Sequence, residues 1–193
     1  MTEQRLPPLR PEILDDAQRA LYEEISGGPR SSGGHFALRD HTGALTGPFN
    51  AMLLAPSLGA PLQQLGSAIR YGGTLPDRAR ELAILLVARA AGSAFERYAH
   101  ERVGAAIGMT EAELAAIQSG DVHIFTDPEE QLVIQLVSEI LDSGNVTDAR
   151  YRESVDARSA AWLFELTTLI GYYRLLALQL KIFGVDSTQP DSV

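Results

Sequence analysis

Residues 81–100 contain two consecutive helical patterns separated by Gly92, and both patterns place ionisable side chains on the face that should be buried. In the first pattern, Glu81 is followed by apolar residues at i+3, i+4 and i+7, which share its helix face. In the second, Glu96 and His100 are one turn apart and can form a hydrogen bond. We therefore expect two packed helices with a carboxylate–imidazole cluster between them, which is typical of general acid–base sites.

The rest of the chain predicts helices with little competing strand pattern, so the fold class is all-α. Capping residues and glycine or proline stops delimit the predicted helices. The expected caps are Thr74 with Asp77, Ser93, Thr110 with Glu113, Asp127 and Thr147. We expect one domain over residues 1–193, with an extended lead at 1–10, a flexible glycine-rich loop at 26–47 and a disordered tail at 186–193.

Composition excludes several classes of function. Cysteine is absent, which removes disulfides, thiolate metal sites and cysteine redox chemistry. The net charge of -9 and the lack of a basic cluster argue against a nucleic-acid partner. No signal-peptide pattern opens the chain, so a cytoplasmic location is expected. The apolar run 160–183 carries charged residues and indicates a buried helix, so we expect no membrane partner.

Each candidate also has a purely structural interpretation. A Glu-x-x-x-His pair such as Glu96 and His100 is common on helix surfaces, and Glu81 near a helix start could complement the helix dipole. His35, His41 and His123 lie in loops or linkers and are interpreted as solvated. Because no second histidine stands at ligand spacing from His100, we expect no metal site.

Five segments carry a resemblance to a known family. They are RxRELAILLVA at 78–88, GSxFERYAH at 92–100, GMTEAEL at 108–114, GPFNAMLLAP at 47–56 and GYYRLLALQLKIFGV at 171–185. In these segments the chain resembles the carboxymuconolactone decarboxylase family, which shares the alkylhydroperoxidase D-like helical fold. The resemblance implies that fold, in oligomeric form, for this chain.

The peroxidase branch of that family has a glutamate, a Cys-x-x-C pair and a histidine four residues after the second cysteine. The matching positions here are Glu81, Ser93, Glu96 and His100. Both thiols are therefore missing, and a peroxide-reducing disulfide cycle is excluded chemically because it needs two of them. The remaining Glu with Glu-x-x-x-His is similar to the decarboxylase branch.

The resemblance implies a cofactor-free lyase of the decarboxylase type that acts on a small carboxylic or enolisable substrate. His100 is the expected proton donor, because its ordinary pKa of about 6.5 allows it to hold and release a proton near neutrality. Glu96 is expected to orient the imidazole, and Glu81 to pass protons or bind a substrate hydroxyl. A second carboxylate would repel an anionic substrate unless it is protonated.

Four further residues are predicted to contact substrate: Asn50, Ser93, Tyr71 and Tyr98. The aromatic residues of the closing helix, Trp162, Phe164, Tyr172 and Tyr173, are interpreted as core or subunit interface. That helix is apolar around much of its circumference, which favours a homo-oligomer. The resemblance implies a trimer or hexamer.

A second hypothesis from a different class stays open at this point. The chain could be a non-catalytic member that binds a small molecule or serves as a scaffold while keeping the helical oligomer. Catalysis predicts that Glu81, Glu96 and His100 converge on one enclosed site and that at least one of them titrates abnormally. A solvent-facing His100 would favour the second hypothesis.

Overall fold

The computed structural model describes residues 5–28 and 36–185, and within them the regular structure is helical apart from one isolated antiparallel bridge between Arg39 and Leu45. The all-α prediction is confirmed. The α-helices are α1 (Asp16–Gly27), α2 (Pro48–Met52), α3 (Pro56–Tyr71), α4 (Asp77–Ala91), α5 (Ala94–Ala106), α6 (Glu111–Ser119), α7 (Pro128–Ser143), α8 (Asp148–Ala157) and α9 (Ala160–Phe183). Short 3₁₀ helices occupy Pro11–Ile13 and Val122–Ile124.

The chain divides into two compact units, and α9 runs from one into the other. Of the described residues, 5–28, 36–71 and 178–185 belong to the first unit, and 72–177 form the second. The expectation of a single domain over the whole chain stays a prediction. In the part of the chain that the structure describes, no helix is long and apolar enough to cross a membrane.

In the first unit, α3 packs against both α1 and α2. The lead is fixed locally, because the backbone N–H groups of Arg5 and Leu6 donate to the carbonyl of Phe183 at 3.1 and 3.3 Å. Residues 36–47 contain a turn in which Asp40 Oδ1 accepts from the backbone N–H groups of Thr42 and Ala44. Residues 29–35 of the predicted loop and the whole predicted tail, 186–193, lie outside the described residues.

In the second unit, α4 packs against α5, α6 and α7. Every residue from Glu81 to Ala88 is buried, so α4 is covered on all sides and not only along one stripe. A helix in that position is expected to be apolar around its circumference. Glu81, fully buried in its second turn, is the exception.

Several local predictions of helix ends are confirmed. Thr110 and Glu113 form a capping box, and the side chains of Asp127 and Thr147 cap α7 and α8. Ser93 occupies the N-cap position of α5, although its hydroxyl makes no capping hydrogen bond.

The predicted capping box at Thr74 is wrong. Helix α4 begins at Asp77 after Pro76, and no side chain caps it. The backbone N–H and the hydroxyl of Thr74 instead donate to the Glu165 carboxylate at 2.7 and 3.0 Å. A carboxylate from distant α9 accepts both hydrogen bonds and replaces the local cap.

Replacing Gly59 by alanine is expected to destabilise the protein. The added Cβ would lie 2.2 Å from the Met52 carbonyl oxygen and 2.8 Å from Leu21 Cδ2, so backbone would have to move. Overpacking of this kind typically costs about 1–3 kcal/mol. Urea unfolding measures the free energy of unfolding.

Gly171→Ala is the matched control for Gly59→Ala. Its added Cβ would have no described neighbour within 4 Å, and Gly171 is interior to α9. Its stability should be unchanged or raised by up to ~1 kcal/mol through helix propensity. Equal effects of the two substitutions would contradict the close contact between α2 and α3.

Candidate active site

The turn between α4 and α5 brings the predicted site residues together. Gly92 has φ 63°, a left-handed conformation that favours glycine, and it ends α4. The N–H of Ser93 then donates to the carbonyl of Ala88 at 2.9 Å, and α5 begins at Ala94. This reversal packs α5 against α4, so that the inner faces of the two helices meet.

Glu81 and His100 form the central contact of the site. Glu81 Oε2 lies 2.6 Å from His100 Nδ1. The glutamate side chain is fully buried, and the histidine side chain keeps 8% of its surface exposed. A hydrogen bond of this length between a carboxylate and an imidazole is in the charge-assisted range. The convergence of these two residues is as predicted.

The partner of His100 differs from the expected one. Sequence spacing favoured Glu96 as the residue that orients the imidazole, but Nδ1 is bound to Glu81. Residues at i and i+4 of one helix project side by side, whereas a side chain on the facing helix can meet the ring edge directly. The prediction that Glu96 orients the His100 imidazole is therefore wrong, although Glu96 remains in the candidate site.

Glu96 is buried at 2% exposure, and its two oxygens form no hydrogen bond with the described residues. Burial raises the pKa of this carboxyl to about 8. The Ser93 hydroxyl lowers the pKa of Glu96 by a smaller amount, through a contact that lacks the geometry of a hydrogen bond. Glu96 is therefore mainly protonated and uncharged at neutral pH.

Tyr173 and Arg80 lie close to the Glu81–His100 pair, and the sequence did not assign either of them to the site. The Tyr173 ring packs edge-on to the His100 imidazole, with 5.1 Å between ring centroids, and Tyr172 packs edge-on to Tyr173 at 5.3 Å. Tyr173 was interpreted as core or subunit interface, and it is buried, but an apolar helix pattern does not reveal which aromatic residue contacts a histidine. Arg80 Nε lies 3.8 Å from Glu81 Oε1.

Ser93, Glu96 and His100 recur at i, i+3 and i+7 of α5, so they share one helix face. Tyr98 lies on the same helix and is partly exposed, and the Arg102 guanidinium carbon lies 3.7 Å from its ring centroid. His123 and His41 are exposed, in line with their interpretation as solvated side chains, and His35 lies outside the described residues.

Asn50 and Tyr71 belong to the first unit. The Asn50 amide donates to the Pro7 carbonyl at 3.1 Å and accepts from the Leu9 N–H at 2.9 Å, so it fixes the lead to α2. Tyr71, at the end of α3, is 50% exposed. Their predicted contacts with substrate stay predictions.

A partly open cleft of about 440 Å³ lies in the second unit, but Glu81, Glu96 and His100 are not among the residues that line it. Its wall includes Arg78, whose guanidinium binds Glu113 at 2.5 Å and Glu130 at 2.7 Å. These contacts raise the pKa of Arg78. Burial of Glu113 raises its pKa, but hydrogen bonds from Thr110 and then Arg78 outweigh that effect and lower it. The cleft is therefore built around a structural ion-pair network.

Comparison with known proteins identifies the segment that holds the site. The model of the carboxymuconolactone decarboxylase family matches residues 56–139, which include all of α4 and α5. The match covers less than half of the chain, and over this segment the chain is similar to the carboxymuconolactone decarboxylase family. The resemblance expected from the sequence is confirmed, and the absence of cysteine distinguishes this chain from members with a Cys-x-x-C pair.

A solved structure extends the likeness of this carboxymuconolactone decarboxylase-like chain beyond the matched segment. It is a cysteine-to-alanine variant of the debrominase Bmp8 in complex with 2,3,4-tribromopyrrole. The TM-score is 0.72 at 12% identity, over 98% of this chain and 94% of the other, which shows a shared fold. None of the curated proteins compared with the chain matches it significantly.

The raised pKa of Glu96 predicts a specific dependence of stability on pH. Between pH 4.5 and 8 the folded state retains the Glu96 proton while the unfolded state loses it, so stability from this group is fully present below pH 4.5 and declines towards pH 8. Over this range the free energy of unfolding of the wild type should fall by up to ~5 kcal/mol more than that of Glu96→Gln. This value follows from the difference between the pKa of Glu96 in the unfolded state and its pKa in the folded state. Chemical denaturation at a series of pH values measures it.

Glu23→Gln is the control for this pH series, because Glu23 is an exposed carboxylate in the middle of α1. It should leave the pH dependence of the wild-type protein unchanged. A wild-type profile parallel to that of Glu96→Gln across pH 4.5–8 would show that Glu96 is ionised in the folded protein.

Proposed function

We propose that the protein is a cofactor-free lyase of the decarboxylase type, which uses acid–base chemistry on a small cyclic carboxylic or enolisable substrate. The observation that carries the proposal is the buried 2.6 Å contact between His100 Nδ1 and Glu81 Oε2. The similarity of residues 56–139 to the carboxymuconolactone decarboxylase family supports the reaction type. The complex of the structurally similar debrominase contains a small ring compound, which supports the size of the substrate.

The contact with Glu81 determines which atom of His100 reacts. With Nδ1–H donated to the carboxylate, the ring is held in one tautomer and Nε2 is the nitrogen that exchanges protons with substrate. The Glu81 carboxylate contacts Nδ1 and leaves Nε2 as the ring nitrogen that it does not engage. Glu81 is a positioning residue in this scheme, and His100 is the acid–base catalyst.

The charges of the site are compatible with an anionic substrate. Glu96 is mainly uncharged at pH 7, and the Glu81 carboxylate is bound to His100 with the Arg80 guanidinium nearby. The repulsion expected from two carboxylates is therefore largely removed. Burial strengthens the remaining electrostatic interactions, because water does not screen them.

The proposed reaction needs one proton transfer to carbon. Loss of carbon dioxide from an unsaturated acid leaves its bonding electron pair on the substrate as a dienolate. The imidazolium form of His100 then gives the Nε2 proton to carbon and becomes neutral. A proton from solvent returns the ring to its starting state, so no oxidant, reductant or cofactor enters the balance.

We also propose that the protein is a homo-oligomer, with a trimer or hexamer implied by its resemblance, and that it acts in the cytoplasm. Four exposed apolar residues on α9 share one face by helical spacing. They are Phe164 (70% exposed), Leu175 (40%), Leu178 (57%) and Ile182 (52%). Such a stripe is typical of a surface covered by another subunit.

The near-complete burial of His100, at 6% exposure, favours a second candidate function. A non-catalytic member could retain the Glu81–His100 contact to hold α4 and α5 together while binding a small molecule elsewhere. In that case, replacing His100 would lower stability without changing any measured turnover.

Substitution of either residue of the Glu81–His100 pair should slow turnover of carboxymuconolactone. We expect His100→Ala to lower kcat by about 10²–10⁴-fold, because the proton donor is lost. Glu81→Gln should lower kcat by a smaller factor, because an amide holds the ring but does not stabilise its cationic form. Release of carbon dioxide, followed in a coupled assay, measures the rates.

His123→Ala is the control for turnover, because His123 is exposed in the linker before α7. Thermal unfolding of each variant shows whether the fold is intact. Equal rates for wild type, His100→Ala and His123→Ala, all folded, would rule out the proposed role of His100.

A further inference from the structure

The Arg80 side chain lies close to the Glu81–His100 pair. Its Nε is 3.8 Å from Glu81 Oε1, while the other carboxylate oxygen, Oε2, is 2.6 Å from His100 Nδ1. The Arg80 side chain is 12% exposed, and its Nε makes no hydrogen bond with residues 5–28 and 36–185. Arg80 Nε therefore acts on Glu81 Oε1 through its charge and not through a hydrogen bond.

Contacts at the beginning of α4 hold Arg80 in this position. Its Nη2 donates to Asp77 Oδ1 at 2.5 Å, and its Nη1 donates to the Leu75 carbonyl at 3.5 Å. Consecutive side chains of a helix project about 100° apart, so the residue before Glu81 would ordinarily point away from it. The two contacts instead keep the guanidinium beside the Glu81 carboxylate.

The two carboxylates next to Arg80 differ in their exposure to water. The Asp77 side chain is 66% exposed, whereas the Glu81 side chain is fully buried. Water and salt screen an interaction between exposed charges much more than one between buried charges. Asp77 therefore anchors the guanidinium without cancelling its charge, and the main electrostatic effect of Arg80 is on Glu81.

Glu81 needs a counter-charge at one stage of the proposed reaction. While His100 is an imidazolium, its positive charge balances the Glu81 carboxylate. When the Nε2 proton moves to substrate carbon, the electron pair of the N–H bond stays on Nε2 and the ring becomes neutral. A buried carboxylate without a positive neighbour is strongly unfavourable. Without Arg80, His100 would therefore retain its proton more tightly and be a weaker acid.

The other ionisable groups near His100 do not provide this charge. Glu96, on the same helix, is mainly uncharged at neutral pH. Tyr173, on α9, packs its ring edge-on to the imidazole and has no positive form. Arg97, on α5, is 55% exposed and pairs with the next carboxylate along the helix surface. Arg80 instead brings a permanent positive charge to the buried pair.

We infer that Arg80 is a positioning residue that keeps Glu81 ionised while His100 is neutral, and that His100 releases its proton readily for this reason. The inference rests on the proposed function, because it concerns the proton that His100 donates. Arg80 does not contact substrate in this scheme. Its effect reaches the reaction through Glu81 and the imidazole.

An NMR titration of the carbon-bound protons of the His100 ring measures this effect without any substrate. Arg80→Met removes the charge at similar side-chain length. We expect it to move the titration midpoint of the ring to higher pH by about 1 pH unit, because the imidazolium is then needed as the counter-charge of Glu81. Arg80→Gln should act in the same direction, and Arg80→Lys, which keeps the charge, should titrate close to wild type.

The pH profile of turnover provides a second readout. On the acid side, where the ring is protonated in both proteins, kcat of Arg80→Met should be about three- to tenfold lower than that of wild type, because a weaker acid donates its proton more slowly. Arg97→Met is the matched control, since it removes an exposed arginine from the helix that carries His100. It should change neither the titration midpoint nor kcat.

The inference is overturned if Arg80→Met and Arg80→Gln titrate at the wild-type midpoint, or if Arg80→Lys titrates like these two neutral variants. Thermal unfolding shows which variants are folded. If both neutral variants fail to fold, the role of Arg80 is structural and the inference is overturned as well. A raised midpoint in a protein without any turnover would refute the proposed function and leave the effect of Arg80 on Glu81 and His100 standing.

Discussion

The hydrogen bond between Glu81 and His100 is the constraint on which the site depends. A fully buried glutamate on a helix that is covered on all sides is costly unless another group satisfies it. His100 does so from the first turns of α5, which is possible because Gly92 reverses the chain directly after α4. Removal of one partner from such a buried pair typically costs ~3–5 kcal/mol. The pair therefore fixes the packing of α4 on α5 as well as the tautomer of His100.

Glu96, the second carboxyl of the site, is accommodated by protonation and not by a hydrogen-bond partner. Glu96 is also buried, but it has no compensating partner among the described residues, and its pKa rises to about 8. Two glutamates on facing helices are thus held in different states, one bound to an imidazole and one protonated. A buried carboxyl with a raised pKa, close to a carboxylate that is bound to an imidazole, is characteristic of acid–base sites. Glu96 therefore contributes less to stability than a hydrogen-bonded or apolar residue would at the same position.

Features that depend on neighbouring residues in the sequence could be predicted. The capping box of Thr110 and Glu113 follows from spacing, and so does the position of Glu81 and His100 on the inner faces of consecutive helices. Spacing favoured Glu96 as the partner of His100, whereas the structure pairs His100 with Glu81. The Thr74 cap failed because Glu165, far along the chain, provides a better acceptor. The sequence also does not predict the contact of Tyr173 with His100, or that Glu96 lacks a hydrogen-bond partner among the described residues. Both features depend on which helices pack together.

The protonation state of the His100 ring is the most direct test of the hydrogen bond between Glu81 and His100. Nitrogen-15 NMR of the imidazole, assigned by comparison with a His100→Gln variant, reports which ring nitrogen carries the proton when the ring is neutral. If Glu81 accepts a hydrogen bond from His100, the proton lies on Nδ1, exchanges slowly and is shifted to low field by the carboxylate, and Nε2 carries no proton. A ring protonated at Nε2, or one averaged by rapid exchange with solvent, would contradict it.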